Sequence, residues 1–521
     1  MEKMNLIVSI IVPIAIAIVS WCLSHKEDTK DFFVRLRHKV FTIIGILSIV
    51  AAIPAVVTLL AFYDYLIHIN IAYSNLLACI LLSISAVALV AIISIKRRRA
   101  LFRKTLNTSN YHNWLIGVLQ KIYPGWSPLT IAKDGRKYPG ELLKTKSGFD
   151  YFNDKTLKLD IDAEFCYPEE HTKHEYINKR KFLNRYRLFN FSRGFKAFIY
   201  RVCYYILVRD NIRYPNLIGY TLKNYEMGKD DEMGKDDVID KINCSIATYY
   251  QNVMESHIME YELYRLYKKK PNVKDMTGDD ILKYLPYRMA IHKAIQEDIG
   301  CNELISKDVT KALFRSGIGR PSLLSVQALI AYKDGNGDKT YIGKRNNNVA
   351  IYQGRTQIAP AGGFELYELT KDGFKLENIR ESCNPNLALY REILEELFDE
   401  KEFDGDRKNT DNINVNNIVT GKEQIRTLLE KSNERILGGV AIDLVYLRHT
   451  LSYLIVAEED IFANSKIKLS KIEFGCAKGN TNIRIPHCLE NIFKAGGDIA
   501  MTDTASLAKC FLESKVWRKR K

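Results

Sequence analysis

Three runs of apolar residues open the chain. Met4 to Leu23, Val40 to Tyr63 and Ile71 to Ile95 contain no Asp, Glu, Lys or Arg. A helix rising 1.5 Å per residue needs about twenty residues to cover roughly 30 Å of hydrocarbon, so the pattern predicts three N-terminal transmembrane helices. Pro13 and Pro54 fall inside runs, where membrane helices tolerate proline. The polar segments between the runs orient them. Residues 24–39 carry Lys26, Lys30, Arg35, Arg37 and Lys39, residues 64–70 carry no Lys or Arg, and the third run ends in Lys96-Arg97-Arg98-Arg99, with Arg103 and Lys104 close behind. Positive residues stay on the cytoplasmic side, so the expected arrangement is N-terminus out, first loop in, second loop out and residues 96–521 cytoplasmic. A cleaved signal peptide is the alternative for the first run, but Trp21-Cys22-Leu23-Ser24 lacks a small-x-small cleavage pattern. Runs without ionisable groups suit an anchor or an oligomerising element better than a transporter.

Residues 100–319 read as a basic, mostly helical region. Phe195, Phe198, Ile199, Val202 and Ile206 recur at helical spacing, with Arg193, Lys196 and Arg201 beside them. Two readings fit: a helix lying on a membrane surface, or an ordinary core helix. Glu226-Met-Gly-Lys-Asp-Asp231 is repeated at once as 232–237, which predicts an expanded polar loop. Asp160, Asp162 and Glu164 alternate with other residues as on the solvated face of a strand. Glu255 to Lys270 predicts a helix that stops at Pro271.

The texture changes near Gly319-Arg320-Pro321. Ser325 to Tyr332 and Thr340 to Lys344 have strand patterns joined by a turn at 334–338. Gln357 to Ala361 leads into Gly362-Gly363. Asn384-Pro385 predicts a helix start, with Asn384 as cap and Pro385 in the first turn. Val440 to Leu447 and Leu451 to Ala457 predict two further strands, and Asp503 to Val516 a final helix. A polar stretch over 399–417 separates the two groups. The organisation expected is 1–99 in the membrane, 100–319 helical, and 320–521 a mixed α/β domain.

Composition narrows the classes. Of 521 residues, 47% are hydrophobic and 11% aromatic, which supplies packed cores and excludes global disorder. The net charge of +15 suits anionic lipid headgroups or anionic small ligands. No aromatic-basic nucleic-acid motif accompanies it, so nucleic acid is not the partner expected. Ten scattered cysteines form no C-x-x-C pair, against a zinc ribbon or a disulfide framework.

The candidate chemistry lies in Arg391-Glu392-Ile393-Leu394-Glu395-Glu396-Leu397. Spacing i, i+3, i+4 puts the carboxylates of Glu392, Glu395 and Glu396 on one helix face. Clustered carboxylates repel unless a cation sits among them, and Mg²⁺ or Mn²⁺ takes hard oxygen ligands that it often shares with phosphates. Arg391 can pair with a carboxylate, and Gly362-Gly363 lets backbone approach a ligand closely. R-E-x-x-E-E is a weak signal alone, since a solvated helix carries the same residues. Its setting strengthens it: the strand pair, Lys344-Arg345, a Pro-x-Gly-Gly turn, Ala-x-x-Arg-Glu and two later strands occur in order. Over roughly 320–515 the chain resembles the Nudix superfamily, whose signature is a Gly, five residues, a Glu, seven residues, then R-E-U-x-E-E-x-G-U, with U aliphatic. Arg391, Glu392, Ile393, Glu395 and Glu396 match it. The resemblance implies an α/β Nudix fold, a mixed sheet flanked by helices, with Glu392, Glu395 and Glu396 binding Mg²⁺, Arg391 bracing the loop, and Gly362, Gly363 and Arg345 near the ligand. Two departures stand out. Counting from Gly362 the first Glu is Glu368, but 22 residues separate it from Arg391 instead of seven; counting from Gly363 that position is Leu369. Phe398 replaces the Gly after the glutamate pair. Glu395 or Glu396 would take part in catalysis; for the general base, Glu396 and the later Glu458 both remain open.

Apolar spans before such a domain resemble the transmembrane-Nudix effectors of bacterial cyclic-oligonucleotide antiphage systems (CBASS). That likeness implies an inner-membrane effector, acting on the lipid bilayer as a homo-oligomer in response to a nucleotide ligand such as a cyclic oligonucleotide. The alternative is a membrane-bound, Mg²⁺-dependent pyrophosphohydrolase of a nucleoside diphosphate derivative.

Overall fold

The uncharged run that begins at Ile71 forms one helix, Ile71–Leu106, which continues without a break through Lys96-Arg97-Arg98-Arg99 to Leu106. A computed structural model describes this helix and residues 71–131, 135–146, 157–159, 166–168, 175–178, 194–208, 218–230, 235–334, 337–346, 349, 351–366, 373–398, 400, 421–457, 482–484 and 500–514. Among these residues no helix is long and apolar enough to cross a membrane. The expectation of three transmembrane helices is corrected accordingly. Its first two segments, Met4 to Leu23 and Val40 to Tyr63, lie outside the described residues. The third is one part of a longer helix, and the charged residues taken as its boundary lie inside that helix.

The chain divides into two units, Met1–Leu101 and Phe102–Lys521. In the first, Leu89, Val90, Ile92 and Ile93 are exposed, while Ala91, Ser94 and Arg99 are buried.

The second unit holds the sheets. Small strands come first: β1 (Leu129–Thr130), β2 (Lys137–Tyr138), β3 (Gly140–Leu143), β4 (Leu157–Leu159), β5 (Cys166–Pro168) and β6 (Glu175–Asn178). A long hairpin follows, β7 (Ile218–Asp230) against β8 (Lys235–Thr248). The later strands are β9 (Leu324–Asp334), β10 (Gly337–Lys344), β11 (Thr356–Ile358), β12 (Ala361–Gly363), β13 (Gly373–Lys375), β14 (Ser432–Asp443), β15 (Arg448–Ala457) and β16 (Asn482–Arg484). Among the described residues of 100–319, strands β1 to β8 stand beside the helices, so the expectation of a mostly helical region is corrected to one of mixed helix and strand. The repeated hexapeptide is not simply a loop: Glu226 to Asp230 end β7 and Lys235 to Asp237 begin β8. Its charged side chains hid the strands. Asp237 pairs with Lys311 at 3.0 Å and Arg315 at 2.8 Å.

Among the described residues the main sheet is mixed and has eight strands. Its order is β11-β10-β9-β15-β14-β3, with β12 on β9 and β16 on β10. β9 and β15 run parallel from Leu324↔His449 to Tyr332↔Ala457, and the other pairs in this sheet are antiparallel. Alternation splits β9 between two cores. Leu324, Val326, Ala328, Ile330 and Tyr332 pack with Leu389, Ile393, Leu394 and Leu397 of the helix Pro385–Phe398. Leu329 and Ala331 pack with Ala505, Ala508 and Phe511 of the helix Thr502–Glu513. With both faces covered, β9 reads as a nearly continuous apolar run.

A helical layer built from Ser109–Ile122, Ile258–Lys269, Pro286–Ile299 and Lys307–Arg315 packs on residues 444–447. Within it Arg288 pairs with Glu262 at 3.4 Å, and both side chains are fully buried. The Arg288 guanidinium also donates to Tyr123 Oη at 2.6 Å and to Leu444 O at 2.9 Å. The helix Gly194–Val208 buries Ala197, Arg201 and Tyr204 and leaves Phe195 71% exposed, so one of its faces belongs to a core.

Candidate functional site

The site is built where the helix Pro385–Phe398 crosses β12. Asn384 starts that helix, its Oδ1 accepting the Asn386 amide at 3.0 Å, and Pro385 needs no partner for a missing N–H in the first turn. Apolar Leu389, Ile393, Leu394 and Leu397 turn one side into the core. The opposite edge carries the acids toward Ala361–Gly363.

Four contacts fix this junction. Arg391 Nη2 donates to Gly363 O at 2.9 Å and to Glu392 Oε1 at 2.6 Å. Arg391 Nε stands 3.5 Å from Glu395 Oε1. Ala361 N donates to Glu396 Oε2 at 2.8 Å. The Glu392 carboxylate fills the space beside Gly362, where a Cβ would fall among its own atoms. Any side chain at 362 would displace this carboxylate. On Gly363 a Cβ would meet Glu365 Oε1 at 2.7 Å, which brings a fourth acid beside the turn. Arg391, Glu392 and Glu396 are buried, and Glu395 keeps partial exposure.

β11 supplies the remaining part. Arg345, just past β10, donates through Nη1 to Gln357 Oε1. Gln357 Nε2 faces Ala361 O at 3.3 Å and Glu396 Oε1 at 3.5 Å. Of the site residues expected from the sequence, Gly362, Gly363, Arg391, Glu392, Glu395 and Glu396 meet at one junction, and Arg345 joins it through Gln357. Glu368 and Glu458 lie outside the described residues. The structure adds Gln357, Glu365 and the Ala361 amide. Glu365 escaped notice because counting from the glycines passes over it. Gln357 carried a usable signal, a lone amide in a short strand leading to a Gly-Gly turn.

For a divalent cation the donors are right in kind, three carboxylates on successive turns of one helix. Each is already engaged: Glu392 and Glu395 with Arg391, Glu396 with Ala361 N and Gln357. Among the described residues no three His, Cys, Asp or Glu side chains converge closely enough to hold an ion. The residues fit Mg²⁺ or Mn²⁺ chemically, and a cation would compete with Arg391 for two of them.

A second polar cluster lies away from this junction. Tyr352 donates to Asp443, and Arg448 pairs with Asp503. Burial and the neighbouring Asp503 hold the Asp443 carboxyl well above its ordinary range, against Arg448. Burial also pushes the Glu260 carboxyl up to about 7, against the Tyr446 hydroxyl and Arg355. These groups are enclosed by core residues and suit structural roles. No protein-family model matches the sequence, and no curated protein matches it.

Proposed function

We propose that residues 102–521 carry a metal-dependent nucleotide site of the kind the Nudix signature implies, acting on the diphosphate of a nucleoside diphosphate derivative. One observation carries the reading: the acidic helix edge is built onto the glycine turn, with the Glu392 carboxylate in the space that only a glycine at 362 leaves open. The turn thereby gathers carboxylates and a bracing arginine at one junction, and hard oxygen donors of this kind are what Mg²⁺ or Mn²⁺ shares with a phosphate chain.

Glu392, Glu395 and Glu396 would hold Mg²⁺ or Mn²⁺. When bound, the ion supplies charge against the diphosphate oxygens and acidity to a water. The chain's own residues do the rest. Arg391 ties Gly363 to the helix and keeps Glu392 and Glu395 on its edge. Glu395 keeps partial exposure where Glu392 and Glu396 are buried. In hydrolysis the water oxygen bonds to phosphorus, the bridging P–O bond breaks, and the water proton passes to a carboxylate. The experiment is turnover of a panel of nucleoside diphosphate derivatives with Mg²⁺. Activity should be lost in the double variant Glu395→Gln, Glu396→Gln, and activity at the wild-type rate in that variant would remove the assignment.

A second reading, that the site senses a nucleotide such as a cyclic oligonucleotide without turning it over, is favoured by Arg355. Its Nη2 donates to Leu106 O at 3.0 Å, and its Nε to Asn107 Oδ1 at 3.3 Å. Leu106 ends the helix that begins at Ile71, and two residues beyond Arg355 lies Gln357. A shift of β11 at the site would reach the end of that helix. In this reading the exposed Leu89, Val90, Ile92 and Ile93 meet lipid, as an effector acting on a bilayer requires. Hydrogen exchange at residues 102–108 should change with a cyclic di- or trinucleotide; an unchanged pattern with all of them would count against sensing.

A further inference from the structure

We propose that Gln357 is a positioning residue for the carboxylate site, orienting Glu396 on behalf of Arg345. The inference rests on the reading of Glu396 as a cation ligand. Gln357 lies on β11, is 1% exposed, and has its whole amide engaged. Its orientation follows from donor and acceptor chemistry. A guanidinium only donates, so the amide oxygen must face Arg345. The NH₂ group then faces the other way, toward two acceptors, Ala361 O at 3.3 Å and Glu396 Oε1 at 3.5 Å. Flipping the amide would set N–H against N–H at Arg345 and oxygen against oxygen at Glu396. Arg345 thus fixes the direction in which Gln357 donates.

The consequence falls on Glu396. Its Oε2 accepts the Ala361 amide at 2.8 Å, which is enough to fasten the helix to the turn. Gln357 adds a donor on Oε1, so that both oxygens are restrained and the rotation of the carboxylate is set. That second restraint does little for fastening and much for aim. Partners behind a metal ligand commonly change metal affinity about 10–100-fold when removed.

The test uses full-length protein and Mn²⁺ as the probe, followed by electron paramagnetic resonance, with metal-free thermal unfolding alongside. Gln357→Met keeps the length and apolar body of the side chain and removes both polar ends. It should weaken Mn²⁺ binding by about tenfold or more at a temperature where the metal-free unfolding curve shows the variant still folded. Arg345→Gln should weaken binding in the same direction. The double variant should be no weaker than Gln357→Met alone, because residues acting through one bond are not additive. Wild-type affinity in Gln357→Met, or additive losses in the double variant, would overturn the proposal. If Gln357→Met does not fold, wild-type affinity in Arg345→Gln overturns it alone. A wild type that binds no Mn²⁺ defeats the parent reading and this one together, a pattern distinct from a bound wild type with unaffected variants.

Discussion

Replacing Glu260 with glutamine should remove a pH dependence from the stability of the protein. Glu260 is buried in the helical layer, and burial raises its carboxyl from 4.5 to about 7, only partly opposed by Tyr446 and Arg355. An acid whose folded value is raised stabilises the fold while protonated, and that stability is lost as pH rises through the folded value. Each pH unit of difference corresponds to about 1.4 kcal/mol. The rise from 4.5 to about 7 therefore amounts to about 3 kcal/mol once the group is fully ionised. Most of it, roughly 2–3 kcal/mol, should disappear between pH 5 and pH 8. Glutamine keeps an acceptor for the Tyr446 hydroxyl and cannot ionise. Urea unfolding of wild type and Glu260→Gln at several pH values in that window gives the double difference. The variant should gain on the wild type as pH rises. Parallel pH profiles would refute the burial argument.

Two further substitutions probe particular contacts. Gly362→Ala places a methyl group in the Glu392 carboxylate, so it should displace that acid and weaken Mn²⁺ binding; a metal titration indistinguishable from wild type would show that the turn does not set the site. Glu262→Ala leaves Arg288 as a fully buried charge without its carboxylate partner, and urea unfolding should show a loss of about 3–5 kcal/mol, whereas a loss below about 1 kcal/mol would mean that the pair contributes little.

The legibility of the chain followed the range of the interactions. The β9–β10 hairpin, β15, the Thr502–Glu513 helix and the Asn384-Pro385 start rest on local patterning, and the expected segments fall on them. The hairpin β7–β8 did not show, because Lys223, Glu226, Lys229 and the repeated Gly-Lys-Asp-Asp masked the apolar alternation of Ile218, Tyr220 and Leu222. The place of β3 beside β14 was not legible either, since that pairing joins residues about 300 apart in sequence, as in Val440↔Leu143. In the site, helical spacing alone brought Glu392, Glu395 and Glu396 to one edge. The link from Arg345 through Gln357 to Glu396 depends on how β10, β11 and the helix meet, which no local spacing encodes. The third apolar run misled for a related reason: hydropathy marks where charge begins, and the helix Ile71–Leu106 runs on past that point.

The most direct measurement is Mn²⁺ binding to the full-length protein, with and without Glu395→Gln and Glu396→Gln together. Saturable binding in the wild type, lost in the double variant while its metal-free unfolding curve is retained, is the predicted result. Equal binding in the two proteins, or none in the wild type, would contradict a cation site on the helix Pro385–Phe398.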